Sequence, residues 1–150
     1  MPLPISKGIA HSGGMLLPAA DFFGRDILRI TPADVLFSVS KMHFGFGLLN
    51  SIVHGLGAGA TVILLPGKPT LAALRQVIAA GRPTLLFAVP AIYALLLGGA
   101  DQLCSAGSLR LCVSSGEALA GSLFLDWLER TGVAILDSVG ATETRSEDVV

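Results

Sequence analysis

Charge is scarce in this chain, and cysteine scarcer still. Of the 150 residues, 14% are Asp, Glu, Lys or Arg, and the net charge is −1. The ten Lys and Arg are scattered from Lys7 to Arg145, with no basic stripe for nucleic acid and no acidic tail. Cys104 and Cys112 are the only two cysteines. Their spacing does not match a metal site, and no His/Cys cluster has zinc spacing. Both read as small buried apolar residues in a reducing cytoplasm, with a disulfide between them left open. Met1 to Ala10 hold no long apolar core, so no secretory signal is expected there. No internal repeat, linker or low-complexity tract occurs. G-x-x-x-x-G-K followed by Ser or Thr, G-x-G-x-x-G and G-x-S-x-G are all missing, so none of those nucleotide or hydrolase loops is expected.

Apolar residues make up 52% of the chain. Its length suits about one domain with a real core. Such a composition fits a sheet buried on both faces, or part of a larger protein whose interface is missing here. Between Lys41 and Lys68 no charged residue occurs, and that stretch is long enough to span a bilayer. His43, Asn50, His54, Pro66 and repeated glycines interrupt it, and its period changes midway, which argues against a span. Leu85–Ala100 is also uncharged, but Pro90 splits it.

Strand-like and helix-like stretches alternate. Gly14–Leu28 reads as a helix with Leu16, Leu17, Ala20, Phe23 and Ile27 near one face. Thr31-Pro32-Ala33-Asp34 reads as a capped turn. Strands are expected at Val35–Val39, Thr61–Leu65, Thr84–Val89, Leu109–Val113 and Val133–Leu136. Helices are expected at Phe46–Leu56, from Thr70 to Gly81, at Ala91–Leu97 and at Ser122–Arg130, with Gly81 and Gly132 as stops. Five apolar strands separated by helices predict an α/β fold: a mostly parallel five-stranded sheet with helices on both faces.

Ligands of open parallel sheets gather at the carboxyl ends of strands. Three of these ends are polar and Gly-bearing: Ser40-Lys41-Met42-His43-Phe44-Gly45-Phe46-Gly47, Ser114-Ser115-Gly116-Glu117-Ala118, and Asp137-Ser138-Val139-Gly140-Ala141-Thr142-Glu143. In a parallel sheet they share one edge. Strand-to-helix turns also use Gly and Ser for capping, so each loop alone says little. Phe44 and Phe46 could be core, but their alternation with glycines suits an aromatic wall beside an open pocket. Thr142 and Glu143 offer a hydroxyl and a carboxylate for a phosphate with its metal ion.

Taken with Lys7-Gly8-Ile9-Ala10-His11 and Pro83–Pro90, these loops occur in an order that resembles the AMP-forming acyl-CoA synthetase superfamily, in particular its benzoate–CoA ligase branch. The resemblance runs from about Lys7 to Thr144. It implies a subdomain of the adenylate-forming enzyme fold, with residues 1–150 a partial AMP-binding domain and the C-terminal lid domain absent. That family joins a carboxylate and ATP with Mg²⁺, then passes the acyl group to coenzyme A. The resemblance assigns Thr142 to phosphate and Glu143 to Mg²⁺, both as catalytic residues. It assigns Ser115, Gly116 and Glu117 to the adenine pocket, Val139 and Gly140 to the space beside adenine and acyl group, and Lys7 to the end of a phosphate loop. Lys41, His43, Phe44 and Gly47 fall to the carboxylate pocket.

Two departures stand out: Ser6 replaces the usual Pro before that lysine, and Arg145–Val150 does not follow the aryl-ligase pattern. The expectation is a cytoplasmic ligase fragment, inactive alone, whose partners are a carboxylic acid, aromatic by resemblance, and the missing portions of the enzyme. No nucleic acid or membrane is expected. The alternatives are a non-catalytic nucleotide- or acyl-binding module and a membrane-associated remnant.

Overall fold

The structure, a computed structural model, describes residues 8–98, 107–141 and 147–149. Five strands run parallel: β1 Val35–Ser38, β2 Thr61–Ile63, β3 Leu85–Ala88, β4 Leu111–Ser114 and β5 Ile135–Gly140. A sixth, β6 Glu147–Val149, pairs antiparallel with β5, and the order across the sheet is β2-β1-β3-β4-β5-β6. The parallel five-stranded α/β sheet expected from sequence is therefore present, with an antiparallel edge strand added. The polar ending carries no period-2 apolar signal, which is why β6 was not expected.

Near-continuous apolar strands need cover on both faces, and successive side chains supply each face in turn. Leu36, Leu85, Phe87 and Val113 join one core with Phe23 and Leu28. Phe37, Leu86, Ala88, Cys112 and Ile135 join the other. The first core lies under two helical segments. Segment α1 passes through Gly13–Met15, Leu16–Ala19 and a wide-wound stretch at Ala20–Ile27. Segment α2 joins Gly45–Leu48 to a second wide-wound stretch, Leu49–Leu56. The second core lies under α3 Leu71–Gly81, α4 Pro90–Leu97 and α5 Gly121–Thr131. There Tyr93 stacks edge-on against Trp127, ring centroids 4.9 Å apart, and its hydroxyl donates to the Leu86 and Val113 carbonyls. Cys112 is a free, buried thiol that burial pushes up to about 12, so it serves as core. Cys104 lies outside the described residues.

The wide winding of α1 changes its buried face. Leu28 N–H donates to Phe23 O, five residues back, so Leu28 follows Phe23 into the core while Ile27 turns to solvent. An ordinary helical period had placed Ile27 inward. Thr70 caps α3 as expected, its hydroxyl accepting from Ala73 N–H. The residue that ends α3 is Arg82, at φ 44°, not Gly81. Gly81 is the last helical residue, packed against the tip of the Ile63 side chain. Gly132, at φ 71°, does end α5.

One polar group sits deep between α1 and α2. His54 is 2% exposed, neither ring nitrogen finds a partner among the described residues, and Gly24 lies against its ring. Burial pushes its pKa from 6.5 down to about 4. The unfolded chain takes up this proton near pH 6.5, and the folded chain only near pH 4. This contribution to stability is therefore constant above pH 6.5 and falls as pH drops towards 4, by about 3 kcal/mol in all. Urea midpoints at pH 7 and pH 5 check this: the His54→Leu variant is expected to lose most of the difference. No helix among the described residues is long and apolar enough to cross a membrane.

Candidate functional site

The carboxyl ends of β1, β3 and β4 are nearly level, and β5 runs beside β4 as far as Asp137. Ser38 pairs with Phe87, while Ala88 pairs with Ser114 and Ser114 with Asp137. The connections after β1, β3, β4 and β5 therefore leave from one edge. Chain order reverses there: β1 is flanked by β2 on one side and β3 on the other. Such a switch point opens a crevice above the carboxyl ends of β1 and β3.

The wall after β1 is held by backbone packing. Phe44 N–H donates to Lys41 O at 3.0 Å, and Leu48 N–H to Phe44 O at 2.9 Å. Gly47 is buried so tightly beneath this turn that a Cβ would lie 2.3 Å from Lys41 O and 2.5 Å from Ser40 O. His43 and Phe44 stand exposed, their ring centroids 4.3 Å apart. Phe46, which could serve core or wall, is half-buried and packs against the core, its ring edge-on to Phe87 with centroids 6.3 Å apart. The ammonium of Lys41 donates to the carbonyls of Leu65 and Gly67, beyond β2.

On the other flank, Ser115 is buried, and Gly116 takes φ 90°, a conformation that only glycine adopts at ease. Glu117 projects into solvent. The polar run after Leu136 predicts a loop at Val139 and Gly140, but both belong to β5. The strand outruns β4 there: its pairing with β4 ends at Asp137, and Ser138, Val139 and Gly140 pair with β6 instead. A two-stranded ribbon thus stands up from the edge, with Val139 56% exposed. Ser138 anchors it by donating to Ser114 O at 3.0 Å. Sequence reasoning ended the strand at Leu136 because polar residues follow, yet the β6 partner extends it.

Asp137 was not singled out from sequence. One oxygen, Oδ2, accepts from Leu119 N–H at 3.3 Å and ties β5 to the turn before α5. Its Oδ1, and the Oγ of neighbouring Ser114, are buried without a partner among the described residues. A carboxylate ending an otherwise apolar strand was the available signal. Polar side chains therefore end β4 and β5 side by side, at Ser114 and Asp137, next to the Ser115-Gly116-Glu117 turn. Lys7, Thr142 and Glu143 lie outside the described residues. Among the described residues no three His, Cys, Asp or Glu gather to hold a metal.

This arrangement matches known proteins. The AMP-binding enzyme family matches residues 6–146. A benzoate–CoA ligase of Thauera aromatica is 39% identical over 140 residues, covering 91% of this chain and 26% of that protein. The solved structure of a benzoate CoA ligase from Burkholderia xenovorans LB400 superposes with a TM-score of 0.86 at 32% identity, over 93% of this chain and 29% of that one. ATP-bound MatB from Rhodopseudomonas palustris superposes at 0.77 with 28% identity, over 89% and 27%. The chain spans about a quarter of the length of the curated relatives it matches, 26% for the ligase named here. With the family match covering nearly all of its length and the sheet reproduced in solved ligases, the chain belongs to the AMP-binding enzyme family.

Proposed function

We propose that the carboxyl edge of this sheet is part of the adenylation site of an ATP-dependent aryl- or acyl-CoA ligase. The reaction joins a carboxylate to the α-phosphate of ATP, releasing pyrophosphate. Coenzyme A thiol then attacks the acyl carbon and AMP leaves. The observation that carries the reading is that the polar loops after β1, β4 and β5 leave one edge of a parallel sheet, beside the switch point between β1 and β3. In this reading Ser115, Gly116 and Glu117 border the adenine. Val139 and Gly140, on the ribbon, separate adenine from the acyl group. His43 and Phe44 border the acid, with Gly47 fixing their turn. Thr142 contacts phosphate, Glu143 holds Mg²⁺, and Lys7 closes the phosphate loop. Mg²⁺ offsets charge on the phosphates when bound.

Two named relatives are benzoate–CoA ligases, which supports an aromatic acid as substrate. We place the protein in the cytoplasm, where ATP and coenzyme A are available. The 150-residue chain is expected to hold ligands without turning them over, because it spans only 26% of the Thauera ligase and positioning and charge stabilisation act together in such chemistry. Incubation with ATP, Mg²⁺ and benzoate is expected to give no pyrophosphate above an acid-free control, while calorimetric titration with AMP gives heat. Robust pyrophosphate release contradicts the inactivity, and absence of heat at millimolar AMP and benzoate contradicts the site.

A further inference from the structure

The side chain of Lys41 leaves the crevice. Its ammonium donates to the carbonyls of Leu65 and Gly67, in the connection between β2 and α3. In the sheet, β2 flanks β1 on the side opposite β3, so this bond pulls away from the switch-point crevice. The main chain of the same residue joins the turn after β1. Lys41 O accepts from Phe44 N–H at 3.0 Å and lies against Gly47 Cα. One residue therefore ties the β2–α3 connection to the turn that carries His43 and Phe44. A lysine with two protons held by backbone carbonyls is poorly placed to be the counter-ion of a substrate carboxylate.

We propose that Lys41 is a positioning residue: it holds the His43–Phe44 turn in shape for the acid, and does not line the acid pocket itself. The inference rests on the ligand reading above for the identity of the pocket. The link between Lys41 and the β2–α3 connection stands on its own. A hydrogen bond from a charged donor is stronger than a neutral one, so its loss is expected to loosen the turn by a measurable factor.

The test uses the whole 150-residue chain and three variants, Lys41→Met, Lys41→Arg and Lys68→Met. Lys68 is exposed and serves as a charge control in the same connection. Hydrogen exchange is read at the Phe44 and Leu48 amides, and benzoate, benzamide and AMP are titrated separately. Lys41→Met is expected to speed exchange at both amides about tenfold. It should weaken benzoate and neutral benzamide by the same factor and leave AMP unchanged. Lys41→Arg should restore part of both effects, and Lys68→Met should change neither.

Unchanged exchange in Lys41→Met overturns the proposal. So does a loss confined to benzoate, which would make Lys41 the counter-ion. An equal loss for all three ligands also overturns it, because Lys41 would then serve the fold at large. If the unaltered chain binds none of the three ligands, the ligand reading fails and the acid-pocket role with it; exchange still decides whether Lys41 holds the turn.

Discussion

Gly47→Ala is expected to destabilise the chain by about 3 kcal/mol, and to lower its melting temperature by about 10 °C. Two effects compete. In a helix, Gly→Ala normally gains up to about 1 kcal/mol, because the unfolded chain loses freedom. At Gly47 the new methyl group would lie 2.3 Å from Lys41 O and 2.6 Å from Lys41 C, and those atoms are backbone. No rotamer change relieves such a contact, so the turn carrying His43 and Phe44 must shift. Steric cost wins. Gly45→Ala is the control two residues earlier: nothing lies within 4 Å of its Cβ position, so the gain in helix propensity is expected alone. Paired thermal melts check both signs. A Gly47→Ala chain as stable as the Gly45→Ala chain would contradict the packing described for this wall.

Asp34→Ala is expected to cost a similar amount at the opposite edge of the sheet, about 3 kcal/mol at pH 7. The Asp34 side chain is 7% exposed, and Arg110 Nε lies 2.8 Å from its Oδ1. Thr84 Oγ1 donates to Oδ1 at 2.7 Å, and Thr31 N–H to Oδ2 at 2.9 Å. The guanidinium also reaches Leu28 O and Arg29 O, so one cluster ties the end of α1 to the starts of β1, β3 and β4. Removing the carboxylate takes the charge partner from the guanidinium and the acceptor from Thr31 N–H, while Thr84 Oγ1 keeps only the longer bond to Val35 O. Arg110 is 39% exposed, which lets water replace part of the loss and keeps the cost at the low end for a buried pair.

The same cluster sets an acid limb. Burial raises the pKa of Asp34, but the hydrogen bonds from Arg110, Thr84 and Thr31, with the charge of Arg110, outweigh it and hold the carboxyl well below its ordinary 3.8. The folded value is the lower one, so this stability is complete above the unfolded pKa and is lost as pH falls below about 3.8. Asp34→Asn is expected to flatten that loss, seen in urea midpoints from pH 5 to pH 2.5. It lies below the pH range in which His54 acts, so the two variants separate the two contributions.

Much of this arrangement is legible in the sequence. Apolar runs such as Leu85–Ala88 marked strands buried on both faces, and Thr70 and Gly132 marked real helix boundaries. Three polar strand ends were expected on one edge, and the register puts them there. What escaped was decided by partners distant in sequence. Asp34 looked like a local turn residue, because its guanidinium lies 76 positions away. Val139 and Gly140 looked like loop, because β6 carries no hydrophobic alternation. Ile27 was assigned inward on an ordinary helical period, and the wide winding of α1 moved it out. The bond from Lys41 to the carbonyls of Leu65 and Gly67 also depends on partners more than twenty positions away.

The central claim is that ligands meet this chain at the carboxyl edge of the sheet. Amide chemical-shift mapping of the isotope-labelled chain, titrated first with AMP and then with benzoate, tests it most directly. AMP is expected to shift Ser115, Gly116, Glu117, Val139 and Gly140, and benzoate to shift His43, Phe44 and Gly47. Shifts clustered at the amino edge, around Asp34, Thr84 and Arg110, or no shifts at millimolar ligand, would contradict the account.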